Sequence, residues 1–123
     1  VKNSRVLIMG FTFKENVSDV RNTRVIDVVK ELKEYGIQVE VCDPYADNHE
    51  VKAEYGLELM DYETIKPVDA VIVAVAHSEY KKITPEQLRK KIINTETKPV
   101  LIDVKGLYKN YKDIKEKFLY WEL

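Results

Sequence analysis

Residues 70–76, Ala-Val-Ile-Val-Ala-Val-Ala, constrain the fold more than any other stretch of the chain. An apolar run with no polar face must be covered on both sides, which is the signature of a strand at the centre of a parallel sheet. The run is far too short to span a bilayer. Three further segments read as strands: Val6–Met9 ending in Gly10, Val39–Cys42 ending in Asp43-Pro44, and Val100–Asp103. Between the first two, Val25, Val28, Val29 and Leu32 recur at i, i+3, i+4 and i+7, which predicts one face of a helix. Asn22 or Thr23 is placed to cap its start, and Gly36 sits where a helix stops. Strand, loop, helix and strand over the first 44 residues make a βαβ unit.

The rest of the chain continues the alternation. His49–Tyr55 predicts a short helix, followed by Gly56 and a brief strand at Leu57–Leu59. Asp61–Ile65 predicts another short helix, capped by Asp61. Thr84-Pro85 opens a helix with Leu88, Ile92 and Ile93 on its core face. Tyr108–Leu123 reads as a short helix and a terminal strand, and its aromatics either meet a partner or cover the sheet's own edge, the second being favoured. The expected architecture is α/β: a Rossmann-like three-layer domain over residues 1–123, with a mainly parallel sheet and helices on both faces. A net charge of −1 gives no bulk field for nucleic acid or an anionic membrane, so any anion site must be local. The single cysteine, Cys42, precludes an internal disulfide framework and fits a reducing, cytoplasmic setting. Entry from Val1 almost directly into a strand reads as a piece of a longer protein.

In such a sheet ligands bind beyond the carboxyl ends of the strands. Those ends deliver Gly10–Lys14, Asp43–Tyr45, His77–Tyr80 and Asp103–Gly106, so two lysines, a histidine and two aspartates are expected on one rim. Lys14, Arg21 and Arg24 lie between the first strand and its helix. Cations beside a helix N-terminus are unfavourable unless an anion joins them, and a phosphate or diphosphate would do so. The competing reading is solvated surface charge, since exposed charge near a helix dipole costs only about 0.3–1 kcal/mol.

Other residues carry less. Gly10 stands alone, without the Gly-x-Gly-x-x-Gly cradle of a dinucleotide site. Asp43 stands where a ribose-binding acid would be, but Asp-Pro is foremost a turn starter. Cys42 lies inside a strand with no adjacent base, which fits a buried structural thiol rather than a nucleophile. His77 either contacts a ligand or makes a local hydrogen bond, the commoner fate. No grouping has metal-site spacing.

Residues 10–23, Gly-Phe-Thr-Phe-Lys-Glu-Asn-Val-Ser-Asp-Val-Arg-Asn-Thr, resemble the signature that opens the C-terminal domain of the UDP-glucose/GDP-mannose dehydrogenase family. The pattern is Gly, two residues, Phe-Lys, four residues, Asp, one residue, Arg. The strand ending in Asp43-Pro44, the His77-x-Glu79-aromatic stretch and Asp103-Val104-Lys105-Gly106 are similar to that family too. The resemblance implies that Phe13, Lys14 and Lys105 contact a UDP-sugar, and that Arg21 reaches NAD held mainly by an absent N-terminal domain. It implies supporting roles for Asp19 in ordering the loop and for His77. Lys105 stands where many relatives carry arginine, which loses the two-pronged guanidinium. His77-Ser78-Glu79-Tyr80 resembles the branch acting on UDP-N-acetyl-hexosamines.

Family enzymes oxidise C6 of the sugar to a carboxylate in two NAD-dependent steps, in polysaccharide precursor synthesis. Their Gly-Gly-x-Cys motif is absent here, so no catalytic residue is expected and the chain alone should be inactive. Its expected partners are the absent NAD domain and linker, within a homo-oligomer. The alternatives are a free-standing nucleotide- or CoA-binding regulatory module, and a flavodoxin- or receiver-like domain. The latter is disfavoured because the first strand ends in Gly10, Phe11 and a lysine rather than in acids.

Overall fold

A computed structural model describes residues 4–92 and 98–123; Ile93, expected on a helix core face, lies outside them. The strands are β1 (Arg5–Met9), β2 (Gln38–Cys42), β3 (Ala70–Val73), β4 (Val100–Asp103) and β5 (Leu119–Glu122). They form one sheet in the order β2-β1-β3-β4-β5, every pair parallel. Helices α1 (Val25–Glu34), α2 (Asn48–Tyr55), α3 (Pro85–Arg89) and α4 (Ile114–Lys117) connect them, with 3-10 turns at Tyr62–Thr64 and Ser78–Lys82.

Alternation along each strand sorts the core into two layers. Leu7, Met9, Cys42, Val71, Val73 and Leu101 face Leu88 of α3 and Ile114 of α4. Val6, Ile8 and Val41 face Val25, Ile26 and Val29 of α1 and Val51 of α2. Helices therefore lie on both faces, as expected. Coverage is uneven: on the α1 side, β5 leaves Leu119 51% and Trp121 63% exposed. The tail aromatics accordingly divide, with Tyr108 and Phe118 buried in the core and Tyr111 and Trp121 exposed.

Five local expectations need correction, the first being that α3 ends at Arg89 and leaves Ile92 beyond the helix, bridged to Val68. Helix α1 begins at Val25 with Arg24 at its N-cap and no side-chain cap there; Thr23 Oγ1 accepts from the Val25 amide at 3.2 Å. Its buried stripe is Val25, Ile26 and Val29, while Val28 is exposed. Val28 stands roughly 100° from the centre of that stripe at 3.6 residues per turn. Residues 57–59 form no strand: the Leu59 amide goes to Asn48 Oδ1 at 2.9 Å, and Met60 alone donates to Val41 of β2, at 2.7 Å. Strand β3 stops at Val73 rather than Ala76, because the Ala74 and Val75 amides both turn onto the Met9 carbonyl, at 2.9 and 3.4 Å.

That turn depends on Gly10, whose φ is +102°. A Cβ there would lie 2.6 Å from Val75 Cβ and 2.8 Å from its backbone nitrogen. The carboxyl ends of β1 and β3 can approach this closely only through glycine.

Candidate functional site

The order β2-β1-β3 makes the gap between β1 and β3 the point from which the chain winds in opposite directions, the usual location of a crevice for ligands. Here the crevice is filled by the protein's own side chains. Asp43, one residue beyond β2, has a fully buried carboxylate. Its Oδ2 accepts from the Phe11 amide at 2.6 Å, the Thr12 amide at 3.0 Å and His77 Nε2 at 2.9 Å. Its Oδ1 accepts from the Tyr45 and Ala46 amides at 2.7 and 3.1 Å, which is the turn expected of Asp-Pro. One carboxylate thus joins the loops after β1, β2 and β3. Burial alone would raise its pKa. Hydrogen bonds from His77 and from the Phe11, Tyr45 and Thr12 amides outweigh that and hold it below the ordinary carboxylate value.

His77 is wholly buried and continues the network. Its Nδ1 accepts from the Asn16 amide at 2.9 Å, which assigns the ring proton to Nε2. That proton faces both Asp43 and Thr12 Oγ1, the latter at 3.2 Å, while Thr12 donates to the Lys14 carbonyl at 2.9 Å. Asn16 Oδ1 accepts from the Ser78 amide at 2.8 Å. The hydrogen bond of His77 is not local in sequence: its carboxylate partner is Asp43. The partner is 34 residues away, so only the parallel pairing of β2, β1 and β3 brings them together.

The second rim aspartate is also turned inward. Asp103 is fully buried and accepts from the Leu107 amide at 2.9 Å, the Tyr108 amide at 2.8 Å and the Tyr120 hydroxyl at 2.6 Å. It shapes the loop that carries Lys105. The aspartates, histidine and lysines do stand at the carboxyl ends of the strands, but the acids and the imidazole are turned inward as internal fasteners. Cys42 is buried as expected, and burial pushes its thiol up to about 12, which keeps it inert.

What remains outward is basic and aromatic. Phe13 is 55% exposed, and Lys14 and Lys105 are exposed. Among the described residues neither lysine takes part in an ion pair. Phe13 lines a groove of about 480 Å³ with Asn22, Thr23, Arg24, Ile26 and Asp27 at the start of α1. Asp19 holds Arg21 through its amide at 2.9 Å and its Nε at 3.1 Å, and that hydrogen-bonded guanidinium lowers the Asp19 pKa. The Phe13 amide donates to the Asp19 carbonyl at 2.7 Å, so this loop is tied to itself. Asn16 and Asn22 occupy the left-handed region at φ 61° and 60°, a conformation asparagine tolerates better than most residues.

A separate hollow of about 520 Å³ lies beyond Asp43, between Met60–Glu63 and Glu79–Ile83, and includes none of Phe13, Lys14, Arg21 or Lys105. Among the described residues no group of three or more His, Cys, Asp or Glu could hold a metal, and no helix is long and apolar enough to cross a membrane.

Comparison with known proteins agrees with this arrangement. Residues 7–110 match the model of the UDP-glucose/GDP-mannose dehydrogenase family, UDP binding domain. The chain is 49% identical over 89 residues to the UDP-N-acetyl-D-glucosamine 6-dehydrogenase of Salmonella typhi, covering 72% of this chain and 21% of that protein. It is 42% identical over 108 residues to protein CapL of Staphylococcus aureus, covering 87% and 24%. The fold is shared with the NDP-N-acetyl-D-galactosaminuronic acid dehydrogenase of Methanosarcina mazei Go1, with a TM-score of 0.82, 27% identity and coverage of 98% and 24%. The chain thus spans about a fifth to a quarter of these relatives' length. A free-standing nucleotide or CoA module finds no support in them. The five-stranded parallel sheet, the signature carried by its first loop and the family match agree: this chain belongs to the UDP-glucose/GDP-mannose dehydrogenase family and corresponds to its UDP binding domain.

Proposed function

We propose that residues 1–123 are the nucleotide-sugar-binding, C-terminal domain of a longer cytoplasmic, NAD-dependent UDP-sugar 6-dehydrogenase, which converts the C6 alcohol to a carboxylate. The observation that carries this reading is the inward turn of Asp43, His77 and Asp103, which leaves Phe13, Lys14 and Lys105 outward at the strand ends. An electropositive rim with an aromatic neighbour suits a diphosphate joined to a base and a sugar. Phe13 and Lys14 contact the nucleotide sugar from the loop after β1, and Lys105 from the loop after β4. Lys105 acts as a point charge rather than a two-pronged clamp. The 49% identity to a UDP-N-acetyl-D-glucosamine 6-dehydrogenase favours an N-acetylated hexosamine as the sugar.

NAD does not fit as a ligand cradled by this domain. The β1 loop offers a single glycine, its Cβ position abuts Val75, and the β1/β3 crevice is filled by Thr12, Asn16 and His77. NAD belongs instead to a separate N-terminal domain, towards which Arg21, steadied by Asp19, projects. The chain contributes substrate binding and no catalytic residue. In the longer enzyme, a linker and the NAD domain meet this one, and the enzyme is a homo-oligomer. Lys14→Ala and Lys105→Ala are each expected to weaken UDP binding by about tenfold, the loss of one charge-assisted contact. The isolated chain should form no NADH from NAD and UDP-N-acetylglucosamine. NADH formation by this chain, or UDP affinity untouched by both lysine changes, would overturn the assignment.

A further inference from the structure

We propose that His77 is a positioning residue that acts through Asn16: it latches the β1–α1 loop in the conformation that presents Phe13 and Lys14. This deepens the reading given above and rests on it. Asn16 follows Lys14 by two residues and holds a left-handed φ of 61°. Such a backbone persists where its surroundings over-determine it. Two contacts do so from across the crevice: its amide donates to His77 Nδ1 at 2.9 Å, and its Oδ1 accepts from the Ser78 amide at 2.8 Å. Thr12 adds a third restraint, donating to the Lys14 carbonyl while meeting His77 Nε2.

The imidazole has two separable tasks. Nε2–H satisfies the buried Asp43 carboxylate, which serves the fold, and Nδ1 receives Asn16, which serves the loop. A ring donating at one nitrogen and accepting at the other performs both at once. Loop placement then depends on an acceptor at the Nδ1 position, independently of how well Asp43 is paired.

Two substitutions separate these tasks. In His77→Gln the amide nitrogen reaches towards the Nε2 position and can still donate to Asp43, while the Nδ1 acceptor is lost. In His77→Asn the side-chain oxygen stands near the Nδ1 position and can still receive Asn16, while the donor to Asp43 is lost. Each variant is titrated with UDP, melted thermally, and followed by amide hydrogen exchange at Asn16 and Lys14. The expected result is a crossed pattern. His77→Gln melts nearer to the parent but binds UDP about tenfold more weakly, with faster exchange at Asn16. His77→Asn melts lower but keeps near-parental affinity and a protected Asn16 amide.

Affinity that follows melting temperature in both variants would reduce His77 to a structural role and overturn the proposal. So would parental exchange at Asn16 in His77→Gln, whether or not UDP binds. If the parent chain itself fails to bind UDP while Asn16 responds as expected, the latch stands as a loop device and the UDP reading is what fails.

Discussion

Asp43 and Asp103 both stand at the carboxyl end of a parallel strand, both are buried, and both accept several hydrogen bonds. Their partners differ in kind. Asp103 organises what is near it in sequence: two amides of its own loop, with the Tyr120 hydroxyl from neighbouring β5 added. Asp43 joins groups from three loops, and one of its partners is an imidazole that itself holds the β1–α1 loop at a second point, Asn16. The same residue type at the same strand position is a local brace in one half of the sheet and a long-range clamp in the other. The clamp lies beneath the loop bearing Phe13 and Lys14, and the brace beneath the loop bearing Lys105.

The largest expected difference comes from removing the carboxylates. Asp43→Ala leaves the amides of Phe11, Thr12, Tyr45 and Ala46 and the proton of His77 without their acceptor, and should cost about 3–5 kcal/mol. Asp103→Ala strands two amides and a hydroxyl and should cost less, about 2–3 kcal/mol. Urea unfolding of both variants measures the gap; equal losses would erase the distinction between clamp and brace.

Glycines next to each aspartate sharpen the same contrast. Gly10→Ala places a methyl against Val75 side chain and backbone at φ +102°, and should cost about 3 kcal/mol or more. Gly106→Ala, at φ +70°, meets the carboxylate tip of Glu122 at 2.5 Å and Lys109 at 3.1 Å, both able to swing aside. Its cost should be about 1 kcal/mol, that of the left-handed backbone alone. Thermal melts of the pair check the order.

Acid provides the smallest and most selective test. The folded chain holds the Asp43 carboxyl below its ordinary value, so the fold prefers the ionised form more than the unfolded chain does. Its contribution is complete above about pH 5 and fades as pH falls through about 4 towards the lowered folded value. Asp43→Asn should flatten that part of the stability-versus-pH curve while lowering stability at neutral pH. An unchanged acid limb in Asp43→Asn would show that the clamp does not depend on charge.

Four strands were legible as short runs rich in apolar residues, three of them closed by glycine or aspartate, and period separates them from α1. Leu57–Leu59 misled because two leucines flanking a glutamate imitate alternation, while the structure spends the Leu59 amide on Asn48. Val28 misled because its spacing fits a helical face whose centre is set by Ile26 instead. At the candidate site, Phe13 and Lys14 are singled out by the signature that contains them, and the structure leaves both exposed. The clamp was not, since Asp43 and His77 are 34 residues apart and nothing local in either segment names its partner. A usable signal did exist: two of the apolar runs end in aspartate where a parallel strand delivers its carboxyl end, and such an acid has amides of neighbouring loops within reach.

Calorimetric titration of the unmodified chain with UDP, and separately with NAD, tests the central claim most directly. The account predicts saturable heat with UDP and none with NAD, because the rim is open to a diphosphate while the crevice is filled. Saturable NAD binding without UDP binding would contradict it and place the dinucleotide on this domain after all.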